Sequence, residues 1–181
     1  RYAYKLVVNE GPAWTGMRPA GEIVSGFALK QKITVNQTDL QIYDFANPIC
    51  VELQFANYGN RRNTGRFEVE ISTLDKSETQ TLNASPINDN ELETICFDRF
   101  HFEEIYKHDA WLEIRGIDGE ANKSVSVVLS ALPGGARAEI QGKPTSDTLV
   151  LYLGIKKDPG IYRVISYVLI ALSALMMALL I

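Results

Sequence analysis

An alternation of apolar and polar residues with a period of two is the feature that most constrains this chain. In ICVELQF, residues 49–55, every second residue is a large apolar one, and RFEVEISTL, residues 66–74, repeats the pattern. Successive side chains of a β-strand point to opposite faces, so such segments bury one face of a sheet. The pattern therefore predicts half-buried strands rather than amphipathic helices.

Further strand-like segments follow one another along most of the chain. They are GEIVSGFALKQKITV (21–35), DLQIYDF (39–45), LETICFDRF (92–100), AWLEIRG (110–116), SVSVVLSA (124–131) and TLVLYLGI (148–155). Before residue 160 only EEIYKHDA, residues 103–110, suggests a helical turn. Eight or nine short strands predict an all-β fold, a two-sheet antiparallel sandwich of jelly-roll type. A doubly wound α/β fold is excluded because it needs more helices.

The C-terminal residues have a different character. Residues 164–181, VISYVLIALSALMMALLI, are eighteen residues without a charge. As a helix they span about 27 Å, close to the ~30 Å hydrocarbon thickness of a bilayer. We therefore predict a transmembrane helix over 161–181, with Tyr162, Arg163 and Tyr167 as its interfacial anchor.

These patterns divide the chain into four parts. We expect an irregular N-terminal segment (1–20), the β-sandwich domain (21–155), a linker (156–160) and the membrane helix (161–181). The sequence fits either a processed protein with a C-terminal anchor or one piece of a longer polytopic membrane protein. Cys50 and Cys96 fit either a disulfide outside the cytoplasm or two buried thiols.

Chemical motifs are scarce. A net charge of −4 and a pI near 5.3 give no electrostatic footprint for nucleic acid. The sequence contains no nucleophile elbow, P-loop, dinucleotide fingerprint or zinc CxxC pair, so we predict no enzyme activity, cofactor or metal. An acidic interval has side chains that suit a metal, but their spacing fits no standard site and predicts a solvated loop: Asp98, His101, Glu103, Glu104, His108 and Asp109.

The best candidate for a binding site is the polar stretch FANYGNRRNTGRFEVE, residues 55–70. Arginine guanidinium groups bind phosphate and carboxylate, asparagine amides bind sugar hydroxyls, and a tyrosine ring offers a stacking face. The candidate ligand-binding residues are Tyr58, Asn60, Arg61, Arg62 and Arg66.

Two other interpretations of that stretch remain open. Its Asn and Gly residues suit a turn that joins residues 49–55 to 66–74 and sets the register of the two strands. Its arginines also suit anionic lipid headgroups beside a membrane. A second turn is predicted at residues 117–120, where Asp118-Gly119 fits the positive φ of a tight hairpin.

The order of several motifs resembles a group of bacterial envelope domains. These are jelly-roll, galactose-binding-like sandwiches inserted between the membrane helices of polytopic proteins, often ones for polysaccharide assembly. The similarity covers roughly residues 15–155 and is carried by the ANYGNRRNTG loop and the late GGARAEIQGKP segment, in that order. It implies a sandwich fold and a periplasmic location, and it brings no catalytic motif. The chain departs from the group in showing a single membrane segment.

Orientation and function follow as expectations. Lys156, Lys157 and Arg163 flank the helix on the domain side, and the positive-inside rule alone places the domain in the cytoplasm; we give the resemblance more weight. We expect a membrane-anchored, non-catalytic β-sandwich for recognition or assembly at the cell envelope, with glycan as its possible ligand. The alternative is a structural accessory subunit whose helix packs on the helices of a membrane-protein partner.

Overall fold

A computed structural model describes residues 4–8, 16–33, 47–59, 61–131 and 136–156. Within these segments the chain forms thirteen strands and one helix. In chain order they are β1 Tyr4–Val8, β2 Arg18–Pro19, β3 Ala28–Ile33, β4 Pro48–Ala56, β5 Arg66–Ser72, β6 Ser77–Asn83, β7 Leu92–His101, α1 Phe102–Lys107, β8 Ala110–Gly116, β9 Ser126–Ser130, β10 Glu139–Ile140, β11 Lys143–Pro144, β12 Thr148–Leu149 and β13 Leu151–Lys156.

The strands form two antiparallel sheets. The seven-stranded sheet is built around β4, which pairs with β7 along one edge and with β13 and then β9 along the other. The six-stranded sheet has the order β11-β10-β3-β8-β5-β6. The predicted two-sheet antiparallel sandwich is thus confirmed, whereas its jelly-roll type stays a prediction.

One hydrophobic core lies between the sheets, and the alternating residues supply it. On β4 and β5 the large apolar residues at alternate positions are almost completely buried. The rings of Phe55 and Phe67, from opposite sheets, lie 5.5 Å apart between centroids. Burial of apolar area is the main stabilising term of folding, so this shared core holds the two sheets together.

The two cysteines are joined by a disulfide. Cys50 on β4 and Cys96 on β7 are direct partners across the two strands, with an S–S distance of 2.03 Å. Of the two alternatives that the sequence left open, the structure has the disulfide.

The structure corrects several expectations. Residues 1–20 are not wholly irregular, because β1 pairs with β13 and β2 with β9. Residues 21–27 form a loop before β3 rather than the start of a strand. Residues 117–120 do not close a hairpin, because β8 and β9 lie in different sheets. Nor does Gly119 have a positive φ.

Other expectations hold, and some lie beyond the described segments. The helical turn expected in residues 103–110 is α1. The strand predicted at 39–45 and the helix predicted at 161–181, with its linker from residue 157 onward, lie outside the described residues. In the part of the chain that is described, no helix has the length and apolar character needed to cross a membrane.

The strand registers define two ends of the sandwich. At the exit end, Tyr4 pairs with Lys156 and Pro48 with His101, so the first and last described strands meet beside α1. At the opposite end, the loop end, β4 finishes at Ala56. Arg61 and Arg62 lie in the segment between β4 and β5, and Arg66 is the first residue of β5. All three candidate arginines therefore lie at the loop end.

Candidate functional site

The arginine loop, residues 57–65, crosses at the loop end from β4 in one sheet to β5 in the other. It therefore does not set the register of these strands, as the turn interpretation had predicted, because β4 and β5 are not paired. Thr64 N donates to Lys123 O at 2.7 Å, and Ala84 N donates to Gly65 O at 2.9 Å. Three other connecting segments thus surround it: 21–27, 84–91 and 117–125.

Tyr58 stands at the tip of this loop in an unusual conformation. Its φ is 57°, in the left-handed region, and Gly59 follows with a φ of 81°. A bulky side chain is rare at such a φ. The carboxylate of Asp89 supports the turn, accepting from Asn57 N at 2.5 Å and from Gly59 N at 3.2 Å. The side chain of Tyr58 is still 42% exposed, so the loop presents an aromatic ring to solvent.

Arg61 lies against that ring and is fully engaged inside the loop. Its guanidinium carbon is 4.7 Å from the centroid of Tyr58, within the range of a cation–π contact. Its Nη2 forms an ion pair with Glu22 and donates to Ser124 O at 2.6 Å. Its Nε donates to Asn63 Oδ1 at 3.0 Å. Arg61 therefore links the arginine loop to two neighbouring segments.

Glu22 is the anionic partner in this arrangement. Burial alone would raise the pKa of its carboxyl, but hydrogen bonds from Asn122 N and from Arg61 outweigh burial and lower the pKa. The carboxylate is therefore held ionised, bridging Arg61 and the backbone of residues 117–125.

Arg66 is also paired within the chain. Its Nη2 lies 2.7 Å from Asp118 Oδ2, and its backbone N donates to Asp118 Oδ1 at 2.6 Å. The hydrogen bonds from Arg66 lower the pKa of the Asp118 carboxyl. Both side chains are about half exposed. Arg66 thus joins the start of β5 to the loop after β8.

Arg62 differs from its two neighbours. It is exposed, and its side chain has no partner among the described residues. Asn60, the fifth candidate, lies outside the described residues. Of the five predicted ligand-binding residues, the structure therefore brings Tyr58 and Arg61 into contact. Arg62 follows Arg61 in the same loop, and Arg66 is paired elsewhere at the same end.

Two buried amides lie within the arginine loop. The side chains of Asn57 and Asn63 are over nine-tenths buried, yet Asn57 Oδ1 and Asn63 Nδ2 have no hydrogen-bond partner among the residues that the structure describes. Asn57 Nδ2 donates to Ile87 O at 2.8 Å. Such buried polar atoms ordinarily pair with protein or water. The loop thus buries one acceptor and one donor that no described residue satisfies.

Three glycines allow the surrounding segments to approach closely. A Cβ on Gly116 would lie 1.9 Å from Val24 O, and one on Gly119 would lie 2.4 Å from Ile23 O. A Cβ on Gly65 would lie 2.6 Å from the Cα of Gly119. Any side chain at these positions would push the segments apart, so the glycines are needed for the loop end to close.

A second polar cluster covers the outer face of the six-stranded sheet. Arg115 pairs with Glu70 and lies 3.1 Å from Glu113, and its hydrogen bond to Glu70 raises its pKa. Trp111 lies on the same face, with Lys30 Nζ 5.5 Å from its ring centroid. These charges compensate one another, so the cluster is explained by cross-strand pairing.

Acidic residues of the interval 98–109 likewise form ion pairs within the chain. Glu104 pairs with Lys76 and accepts from His101 N, and Asp109 pairs with Lys32. Among the described residues no group of three or more His, Cys, Asp and Glu side chains is arranged to hold a metal.

The sequence did not identify Glu22, Asp89 or Ser124 as parts of this site. Each comes from a different segment, 30 to 63 residues from its partner along the chain. The predicted anchor residues Tyr162, Arg163 and Tyr167 lie outside the described residues.

Comparison with known proteins gives no relative: no protein-family model, no curated protein and no solved structure matches this chain.

Proposed function

We propose that this chain is a non-catalytic β-sandwich, anchored in a membrane, that binds envelope glycan at the tip of the arginine loop. The observation that carries the proposal is the stack of Arg61 on Tyr58. Glu22 and Ser124 hold the Arg61 side chain in place. Arg61 in turn packs on the exposed ring of Tyr58, whose backbone has a rare left-handed φ. Unusual conformations of this kind persist where surrounding contacts impose them, and they cluster at functional sites.

The chemistry of the tip indicates the class of ligand. The exposed part of the Tyr58 ring suits the C–H face of a pyranose. Arg62 is exposed and has no partner within the described segments, so its guanidinium suits one carboxylate or phosphate. Arg61 and Arg66 are already neutralised by Glu22 and Asp118. The site therefore fits a sugar with a single acidic group better than a densely charged polyanion.

The disulfide supports an extracytoplasmic location for the domain. Disulfides persist in oxidising compartments and are rare in the cytosol. Because Cys50 is buried and its partner Cys96 is only partly exposed, the bond is a structural one. A periplasmic location would expose the loop end to envelope glycans, with the membrane helix predicted at 161–181 as the anchor.

The test uses the full chain in lipid nanodiscs, titrated by calorimetry with an oligosaccharide that carries a single uronic acid and with the carboxyl-reduced neutral form of the same oligosaccharide. We expect Tyr58→Asn to weaken binding of both sugars at least tenfold, or about 1.4 kcal/mol. Asn tolerates a positive φ, so the turn itself is preserved. We expect Arg62→Gln to weaken binding of the acidic sugar alone.

Lys123→Gln is the matched control. Lys123 lies at the same end, but its Nζ is paired with Glu120, so its loss should leave binding unchanged. Equal binding by wild type, Tyr58→Asn and Arg62→Gln would remove the tip from consideration. A chain that binds neither sugar but purifies in fixed ratio with a membrane protein would favour the accessory-subunit alternative.

A further inference from the structure

The exit end carries one apolar side chain that is almost completely exposed. Leu74, in the turn between β5 and β6, is 90% exposed, the highest value among the large hydrophobic residues of the described segments. That turn is closed by Thr73 N donating to Lys76 O at 2.8 Å. Turn tips favour Gly, Asn, Asp and Ser, and an apolar side chain there gains nothing from the sandwich itself.

Helix α1 presents a partly exposed aromatic ring at the same end. Its inner face buries Phe102 and Ile105, and its outer face leaves Tyr106 41% exposed beside Lys107. Lys76 forms an ion pair with Glu104 and lies 5.6 Å from the ring centroid of Phe100. The β5–β6 turn and α1 are thus fixed to each other and present Leu74 and Tyr106 on one end of the domain.

The strand registers connect this end to the predicted membrane helix. Lys156, the last residue of β13, pairs with Tyr4 and lies at the exit end. Four residues, 157–160, separate it from the helix predicted at 161–181. Fully extended, they reach about 14 Å. A tether this short keeps the exit end close to the bilayer surface, and it keeps the arginine loop on the far side of the domain.

We propose that the exit end rests on the lipid bilayer, with Leu74 and Tyr106 inserted into the headgroup region. The proposal rests on the membrane anchor of the proposed function. The tether gives the domain a high effective concentration at the bilayer surface. Two inserted side chains are therefore enough to orient the domain. Aromatic rings favour the membrane interface. Lys32, Lys76 and Lys107 are each paired with acids, so apolar insertion rather than charge drives the contact.

This orientation distinguishes between two interpretations of the arginine loop. A loop at the opposite end from the anchor faces away from the headgroups of its own membrane. The exposed tip of the loop, with Tyr58 and Arg62, therefore faces away from the membrane and toward ligand, and the lipid contact is made by the exit end.

The test measures tryptophan quenching by brominated lipids, with the full chain reconstituted in phosphatidylcholine vesicles. We expect fluorescence from Leu74→Trp, and separately from Tyr106→Trp, to fall at least twofold after subtraction of the wild-type signal. Ser85→Trp is the control. Ser85 is exposed at the loop end, so its signal should be unchanged by the brominated lipids.

Vesicle flotation separates the two hypotheses. If the chain floats with the vesicles after a carbonate wash but neither exit-end probe is quenched, the anchor stands and the inference about the exit end is wrong. If Ser85→Trp is quenched instead, the domain lies in the opposite orientation and the inference is again wrong. If the chain does not float at all, both the anchor and this inference fail.

Discussion

At the scale of single residues, Tyr58 and Arg61 show how a turn can expose an aromatic ring at the protein surface. Most turns place Gly or Asn in the left-handed region, and the arginine loop places Tyr58 there, ahead of Gly59. Asp89 and Arg61 provide the contacts that make this conformation tolerable. The asparagines expected to take the turn conformation, Asn57 and Asn63, are instead buried and hold the loop from within.

The pairing of Glu22 with Arg61 predicts a pH-dependent contribution to stability. The pKa of Glu22 is lowered in the folded state, so its contribution is present above the ordinary value near 4.3 and is lost as the pH falls below it. Glu22→Gln should cost about 1 kcal/mol at pH 7, because the pair is partly solvated. The difference from wild type should shrink as the pH falls from about 5 to 3. Unfolding by guanidinium chloride in nanodiscs, followed by tryptophan fluorescence, measures this difference in the free energy of unfolding.

The control for this prediction is Glu103→Gln. Glu103 pairs with Lys107 on the exposed surface of α1, where an ion pair contributes little, so stability should be nearly unchanged at both pH values. A loss for Glu22→Gln that is the same at pH 7 and pH 3 would show that packing rather than charge is responsible.

Gly116 tests the close approach of the loops. A Cβ there would meet the backbone of Val24, so we expect Gly116→Ala to lower the free energy of unfolding by about 3 kcal/mol or more. Gly142→Ala is the comparison, because its Cβ meets nothing within 4 Å while its φ is +72°. That change should cost about 1 kcal/mol from the backbone alone. Equal losses in the same unfolding assay would contradict the steric argument.

At the scale of elements, β4 organises the seven-stranded sheet, and the disulfide fixes its pairing with β7. The two cysteines are 46 residues apart, and cross-linking a loop of that length restricts the unfolded chain by about 4 kcal/mol. We expect Cys50→Ala with Cys96→Ala to lower the free energy of unfolding by nearly that amount. Reduced wild type should lose as much. Two free thiols in freshly denatured, unreduced protein would contradict the bond.

The period-two pattern identified elements unevenly, for a physical reason. It found β4, β5, β7 and β8, since each buries one apolar face in the core. It missed β6, SETQTLN, because this edge strand is largely polar and is held by backbone pairing with β5. The apolar pattern of a segment indicates which of its residues are buried. It does not reveal a strand that forms only because its backbone pairs with a neighbouring strand.

At the scale of the whole molecule, the two ends of the sandwich differ in character. The loop end is closed by glycines and by two arginine–carboxylate pairs, and it leaves Tyr58 and Arg62 exposed. The exit end carries the first and last described strands with Leu74 and Tyr106. This polarity places the proposed glycan contact and the proposed lipid contact at opposite ends of one rigid core.

The sequence by itself determined the all-β class, the inward-facing residues of β4 and β5, and the position of the helical turn, because periodicity directly encodes which face is buried. Only the tertiary structure decided that the arginine loop joins different sheets and that Glu22 and Asp118 neutralise Arg61 and Arg66. It also decided that Arg62 is exposed, with no partner in the described part of the chain. The partners come from segments far apart in the chain, and their meeting depends on how the two sheets close against each other. Local sequence holds no record of that closure.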